Sequence, residues 1–492
     1  MHKQNHWMKL GILAAFLSLN SQGLQADTLP QISFSPAAST EISAKQNKAA
    51  IDYSRFITED QLLLPRNLYI LKGDYFSAEK LNVFHQNALL SLSEFASLSS
   101  NCTYGQNLTG RWLLQSPSDG GEVPPESFEL SLTARTPNGE IMGATTVELV
   151  DKTNTTPIRL LPIGDSLTRA GAYLSQVKRS IPNVTTLGTR FYPEDGMPTR
   201  EGRGGWTLEK YCTSINSDEL DSPFVFPTTI SGERYKGNTR DWQVICYKSP
   251  KNPIYNGFQK IARGWKDSGE FLYNEKGYYK YPEIGDVMVD PSLPVGKQWV
   301  EWNGFSWSAL KEQPTEFEFN FEKYMTRYAE AFSLGTPTHV SLFLGVNEFG
   351  FGKQLDKTNL FMTRLNKVID SIHSYDPNIK IILCMPTVAP DTNMVTASTQ
   401  AFYKEYNLCV KYLASKLLEN FDTDEALSRQ IYLAPMTLTL DPINGFNYIE
   451  KSELVEGFTS TVIDTDNSIH PNNDYGQLQM GSTLAAVLQK YR

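Results

Sequence analysis

Cysteine and histidine are scarce in this chain of 492 residues, basic clusters are missing, and only one apolar run stands out. Each shortage removes a class of function. The five cysteines (Cys102, Cys212, Cys246, Cys384, Cys409) show neither CxxC nor metal-ligand spacing, so no structural metal, redox motif or other cofactor is implied. Cys384 ends the apolar run Ile381-Ile382-Leu383-Cys384 and reads as a buried, inert thiol. An oxidising compartment would permit a Cys212–Cys246 bridge, and the odd count still leaves a thiol over. A formal charge of −9 without Lys/Arg clusters argues against nucleic-acid binding. The apolar run Leu10–Leu19 is too short to span a bilayer, and no other run approaches that length. No internal repeat or low-complexity tract is present.

What is there begins with an export signal. Lys3 and Lys9 precede the apolar run, and Leu24-Gln25-Ala26 offers a small-residue cleavage site before Asp27. Residues 1–26 therefore read as a secretory signal peptide, with no nearby cysteine to make a lipoprotein, and the product is expected in the periplasm or secreted, without stable membrane insertion. Losing two lysines would move the formal charge from −9 to −11. Residues 27–65 form a polar leader. Residues 66–150 carry short alternating segments, such as Asn67-Leu68-Tyr69-Ile70-Leu71 and Phe128-Glu129-Leu130-Ser131-Leu132, separated by turns such as Pro137-Asn138-Gly139. They predict a small β-sandwich of immunoglobulin-like size. A polar linker over 152–156 leads onward.

From residue 157 strands alternate with helices. Strands are predicted over 158–163, 184–188, 338–345, 379–385 and 430–434, and helices over 170–180, 317–334, 357–373, 401–418 and 475–490. That alternation predicts an α/β unit, residues 155–492, with a flavodoxin-like parallel sheet covered by helices on both faces. Functional loops then belong at the carboxyl ends of its strands. Residues 212–315 read as an insertion rich in Trp (Trp242, Trp265, Trp299, Trp302, Trp307) and Tyr (Tyr273, Tyr278, Tyr279, Tyr281). Those rings suit either the insertion's own small core or a rim that stacks on sugar faces.

Four ordered blocks carry the chemistry. Ile163-Gly164-Asp165-Ser166-Leu167-Thr168 follows the apolar run at 158–162 and would deliver a serine hydroxyl to the rim of the sheet. Gly204-Gly205-Trp206-Thr207, Gly345-Val346-Asn347-Glu348 and Asn467-Ser468-Ile469-His470-Pro471 come after it. In order and residue choice they resemble the SGNH (GDSL-type) hydrolases, a superfamily of serine esterases. The resemblance covers roughly residues 155–492 and implies the SGNH hydrolase fold, with Ser166 as nucleophile and His470 as base. It implies an oxyanion hole built from the backbone N–H of Ser166, the backbone N–H of Gly205 and the side-chain amide of Asn347.

One position departs from the pattern. Relatives of this kind carry Asp-x-x-His, whereas this chain has Asn467 three residues before His470, with Asp466 and Asp464 close by. An amide oxygen can accept the Nδ1–H of a catalytic histidine, so Asn467 is expected to orient His470. Asp466 or Asp464 is the alternative acid, and a bare Ser–His pair is the third arrangement. Asp165 and Glu348 read as turn-fixing residues of their own loops. Together these residues point to an exported esterase acting on an O-acyl, specifically O-acetyl, group of a carbohydrate, with a small-molecule or glycan ester as partner. A lipid or lysophospholipid esterase, or a non-catalytic glycan-binding protein on a hydrolase frame, are the competing expectations.

Overall fold

The computed structural model describes residues 51–73, 81–93, 95–114, 123–191, 198–214, 222–238, 270–271, 283–290, 292–390, 397–455, 458–465 and 469–492. Residues 1–26 and most of the leader lie outside them. Tyr53–Arg492 form one compact unit.

Strands of three to seven residues build a parallel sheet in the order Val184–Thr186, Ile158–Gly164, His339–Phe343, Lys380–Cys384, Ile431–Ala434. Numbered along the chain this order is 2-1-3-4-5, so the winding reverses beside strand Ile158–Gly164, the position where open α/β sheets place their ligand crevice. That strand is apolar almost throughout because both of its faces are covered. Leu161 and Ile163 pack with helices Thr358–Tyr375 and Ala397–Phe421. Ile158 and Leu160 face the opposite core with helices Ala172–Ser180 and Gly476–Lys490. A short strand, Glu201–Gly202, joins the carboxyl end of strand Ile158–Gly164 in the registers Ile163↔Glu201 and Gly164↔Gly202.

Two sequence expectations are corrected. The helix predicted over 317–334 is a strand, Phe317–Phe319, followed by helix Phe321–Arg327. Phe-Glu-Phe alternates and pairs with Val225–Pro227, and the Asn320 side chain then accepts the Lys323 N–H as a helix cap. The helix predicted over 170–180 is interrupted at Gly171, whose φ of 76° ends helix Ser166–Ala170 before helix Ala172–Ser180 begins.

The β-rich segment forms a four-stranded sheet, Asn67–Leu71, Gly139–Val150, Ser127–Thr136, Ser97–Asn101, and a three-stranded sheet, Asn82–Phe84, Arg111–Leu113, Gln106–Leu108. Within the segment read as a leader, Gln61–Leu62 already pairs with Leu89–Leu90. Leu68, Ile70, Leu130, Val83 and Trp112 fill the core of these sheets, and that core is continuous with the α/β unit. Tyr69 and Leu71, on the other face of the same strand, pack against helix Gly476–Lys490. The Tyr69 hydroxyl lies 2.6 Å from that of Tyr491, and the Tyr491 ring stacks on Tyr432 at 3.6 Å.

Within the insertion, Tyr235–Asn238, Val287–Val289, Trp299–Trp302 and Trp307–Ala309 make a four-stranded sheet. Trp299 is buried among Tyr235 and Phe317, whereas Trp302 and Trp307 are half-buried with ring centroids 5.5 Å apart. Trp242, Trp265, Tyr273, Tyr278, Tyr279 and Tyr281 lie outside the described residues. The Cys212–Cys246 bridge is corrected: Cys212 is a free thiol, pushed up to about 12 by burial, and Cys246 is outside the described residues. Among the described residues no helix is long and apolar enough to cross a membrane.

Gly481 shows how closely the C-terminal helix docks. A Cβ there would lie 2.4 Å from the Tyr173 carbonyl oxygen and 2.5 Å from Gln176 Cβ. Gly481→Val is therefore expected to destabilise the fold by about 1–3 kcal/mol through overpacking. Thermal unfolding followed by circular dichroism checks this, and a wild-type melting temperature would contradict the close docking.

Candidate active site

Strand Ile158–Gly164 ends in glycine because nothing larger fits. A Cβ at 164 would lie 2.1 Å from Thr168 Oγ1 and 2.7 Å from the Phe343 carbonyl oxygen. Asp165 then caps helix Ser166–Ala170, its Oδ1 accepting the Leu167 N–H at 3.0 Å. The carboxyl is fully buried, and burial pushes its pKa up to about 7 against the pull of its backbone hydrogen bonds. Ser166 is the first residue of that helix, half-buried at the rim.

His470 arrives from the loop before the C-terminal helix, 304 residues away, and its Nε2 lies 2.9 Å from Ser166 Oγ. The other described histidines are engaged elsewhere. His339 Nε2 faces the Tyr491 carbonyl at 3.2 Å and burial pushes it down to about 4, while His373 Nε2 faces the Ile379 carbonyl at 3.1 Å. His85 is buried in the β-rich segment and shifted down by that burial.

The loop carrying Gly205 is pinned to the serine turn by backbone. The Arg203 N–H donates to the Gly164 carbonyl at 3.0 Å, and a Cβ on Gly202 would lie 2.1 Å from the Arg169 nitrogen. The Tyr211 hydroxyl sits 2.8 Å from the Gly164 carbonyl and 2.6 Å from that of Glu201, tying both strands to helix Leu208–Thr213. Arg203 lies over the buried Trp206 ring at 4.5 Å. Gly204 and Gly205 are exposed, and Gly205 needs glycine for its φ of +70°, since a Cβ there would meet open space.

The third loop closes on the second. The Asn347 amide donates one proton to the Trp206 carbonyl at 2.9 Å; a side-chain amide carries two. Glu348 does not work within its own loop alone, as the sequence suggested. It reaches across to accept the Leu208 N–H at the start of helix Leu208–Thr213. Its other oxygen is buried without a hydrogen-bond partner, and burial first, then the charges of Asp165 and Glu209, push its carboxyl up to about 7. Beneath the loops, Val346 and Ile469 share one apolar cluster with Tyr403, Tyr406, Leu440 and Phe446, which holds the Asn347 and His470 loops together.

Asn467 and Asp466 lie outside the described residues. Asp464 is described and committed elsewhere: its Oδ2 pairs with Lys451 Nζ at 2.7 Å and its Oδ1 accepts the Thr465 N–H. Tyr211, Arg203 and the reach of Glu348 were not legible beforehand. Their partners are separated by tens of residues or more, and no spacing rule connects them. Among the described residues no group of His, Cys, Asp and Glu could hold a metal ion.

No protein-family model matches the chain, and neither does any curated protein. Solved structures similar to it include a possible lipase from Chitinophaga pinensis, 13% identical over 68% of this chain and 98% of that one, with a TM-score of 0.30. Another is a carbohydrate esterase family 2 enzyme plus carbohydrate-binding domain from Corynascus thermopiles (Myceliophthora fergusii), 13% identical over 85% of this chain and 92% of that one, with a TM-score of 0.28.

The Glu348 carboxyl generates a pH prediction. Its folded value of about 7 lies above the usual 4.5, so the folded protein holds this proton more tightly than the unfolded chain. The group favours folding below its usual value and costs stability as pH rises through its folded one. Glu348→Gln keeps an acceptor for Leu208 and cannot ionise. It is expected to gain on wild type by up to about 3 kcal/mol between about pH 5 and pH 8, read as melting temperatures at both values. A pH-independent difference would contradict the buried, raised carboxyl.

Proposed function

We propose that the chain is a serine ester hydrolase of the SGNH type, exported and acting on an O-acyl group, specifically O-acetyl, carried by a carbohydrate. The observation that carries this reading is the 2.9 Å contact between Ser166 Oγ and His470 Nε2 at the carboxyl end of strand Ile158–Gly164, flanked by the Gly205 and Asn347 loops. A serine hydroxyl hardly ionises at neutral pH and attacks only with a base beside it.

In this reading Ser166 Oγ attacks the ester carbonyl carbon while His470 Nε2 takes the hydroxyl proton. The carbonyl oxygen becomes an oxyanion, met by the backbone N–H groups of Ser166 and Gly205 and by the second amide proton of Asn347. The carbon–oxygen bond to the alcohol breaks, and His470 returns the proton to the leaving alkoxide. Water, deprotonated by His470, then attacks the acyl-enzyme and releases the acid and Ser166. Asn467 orients the imidazole through its side-chain oxygen, with Asp466 as the alternative acid. The sugar half of the proposal rests on the half-buried Trp302 and Trp307 beside the exposed Phe305, rings of the kind that stack on sugar faces.

Ser166→Ala is expected to abolish hydrolysis of p-nitrophenyl acetate while leaving the melting temperature unchanged. Asn347→Ala should lower kcat by about 10²–10³-fold, the usual loss for one oxyanion donor. Steady-state kinetics of both variants, on the acetyl ester and on a longer-chain ester, check the proposal. Turnover that survives Ser166→Ala would sink it, and a preference for the long chain would move the substrate to lipids.

A further inference from the structure

Asn87 belongs to the β-rich segment, yet its side chain is spent on the α/β unit. It is 1% exposed, and its Nδ2 donates to the Leu440 carbonyl at 2.9 Å, across 353 residues. The preceding Gln86 carbonyl accepts from Lys411 on helix Ala397–Phe421. A buried amide donor that left its partner would pay the full desolvation of that group, so this contact holds its two sides in one relative position.

Leu440 is where a rigid turn begins. The Asp441 N–H donates to Gln479 Oε1 at 2.8 Å, and Asp441 Oδ1 accepts the N–H groups of Ile443 and Asn444, both at 2.9 Å. The turn then presents two carbonyls to Asn472: Gly445 O accepts the Asn472 N–H at 2.7 Å, and Asn444 O accepts Asn472 Nδ2 at 2.9 Å. Asn472 Oδ1 in turn accepts the N–H groups of Tyr475 and Gly476 at the start of the C-terminal helix. Little slack remains along this path. A Cβ at 445 would lie 2.4 Å from the Asp441 carbonyl oxygen, and one at 476 would lie 2.3 Å from the Gly445 carbonyl oxygen and 2.7 Å from Pro471 Cβ. His470 stands two residues before Asn472, with Pro471 between them.

We infer that the β-rich segment serves the reaction by holding the His470 loop in place, and that Asn87 is the positioning residue through which it does so. The inference rests on the reading of His470 as the base. The Asp441–Gly445 turn carries the position of Asn87 to Asn472, and Asn472 sets the loop from which the imidazole reaches Ser166. Because every contact along the path is a hydrogen bond or a backbone-to-backbone approach, a shift at Leu440 has nowhere to be absorbed before His470.

The test uses the full chain with Asn87→Leu, which removes the donor at nearly constant volume, and Asn472→Asp, which keeps the helix-capping oxygen and removes the donor to Asn444. Each is expected to lower kcat on p-nitrophenyl acetate roughly tenfold with KM little changed, the signature of a misplaced base. In histidine-labelled protein the His470 ring resonances should shift, while those of His373 stay in place. A wild-type kcat together with unmoved His470 resonances in both variants overturns the inference. Should Asn87→Leu fail to fold, Asn472→Asp decides by the same two readings. If wild type itself lacks Ser166-dependent turnover, the esterase reading falls, and the His470 resonances alone still decide whether Asn87 positions the loop.

Discussion

The end of strand Ile158–Gly164 is the constraint on which the site depends. Gly164 is packed against Thr168 and the Phe343 carbonyl, and Gly202 lies against the backbone of helix Ser166–Ala170. Three segments therefore meet main chain to main chain, at distances that no side chain allows. The Arg203 N–H and the Tyr211 hydroxyl then use the Gly164 carbonyl as their common anchor. Ser166 inherits its position from this junction, because it is the first helical residue after Asp165 and has no freedom of its own. Close packing of backbone is less forgiving than packing of side chains, which can change rotamer, so the hydroxyl is carried by a tightly packed junction.

Around that junction the polar groups divide by exposure. Ser166, Asn347 and His470 are half-buried and face the rim, and Gly204 and Gly205 are exposed. Asp165 and Glu348 lie beneath them, nearly inaccessible, each holding a backbone N–H at the start of a short helix. Both carboxyls are pushed up to about 7 because burial disfavours their charged forms. Neither has a place in the proposed acyl-transfer steps. They organise the loops that present the reacting groups, and the apolar cluster joining Val346 to Ile469 does the same from below.

The β-rich segment is joined to this machinery by a seam and not by a hinge. Strand Asn67–Leu71 is buried on both faces, with Leu68 and Ile70 in its own core and Tyr69 and Leu71 against the C-terminal helix. A core that runs through both parts resists relative motion, which makes the segment a fixed reference for loops some distance away. The surface ion pair between Arg66 and Asp424 adds little to that seam, since both groups are exposed.

Much of the site was legible in the order of residues along the chain. Gly-Asp-Ser after an apolar run, a glycine pair, Gly-x-Asn and His-Pro each announce a strand end or loop, and the structure brings Ser166 and His470 to 2.9 Å. Local pattern located four of the five parallel strands as apolar runs because both of their faces are buried, whereas Val184–Thr186 at the edge of the sheet is partly exposed. It merged Phe317–Phe319 with the helix after it, because a three-residue strand is too short to show a period of two. The sequence by itself determined which residue types the proposed acyl-transfer chemistry can draw on and where most of the parallel strands lie, since both follow from residue type and local pattern. Only the tertiary structure decided that Glu348 bonds to Leu208 and that Asn87 reaches Leu440. Those are contacts between segments far apart in the chain, and they exist only once the two cores have set the segments side by side.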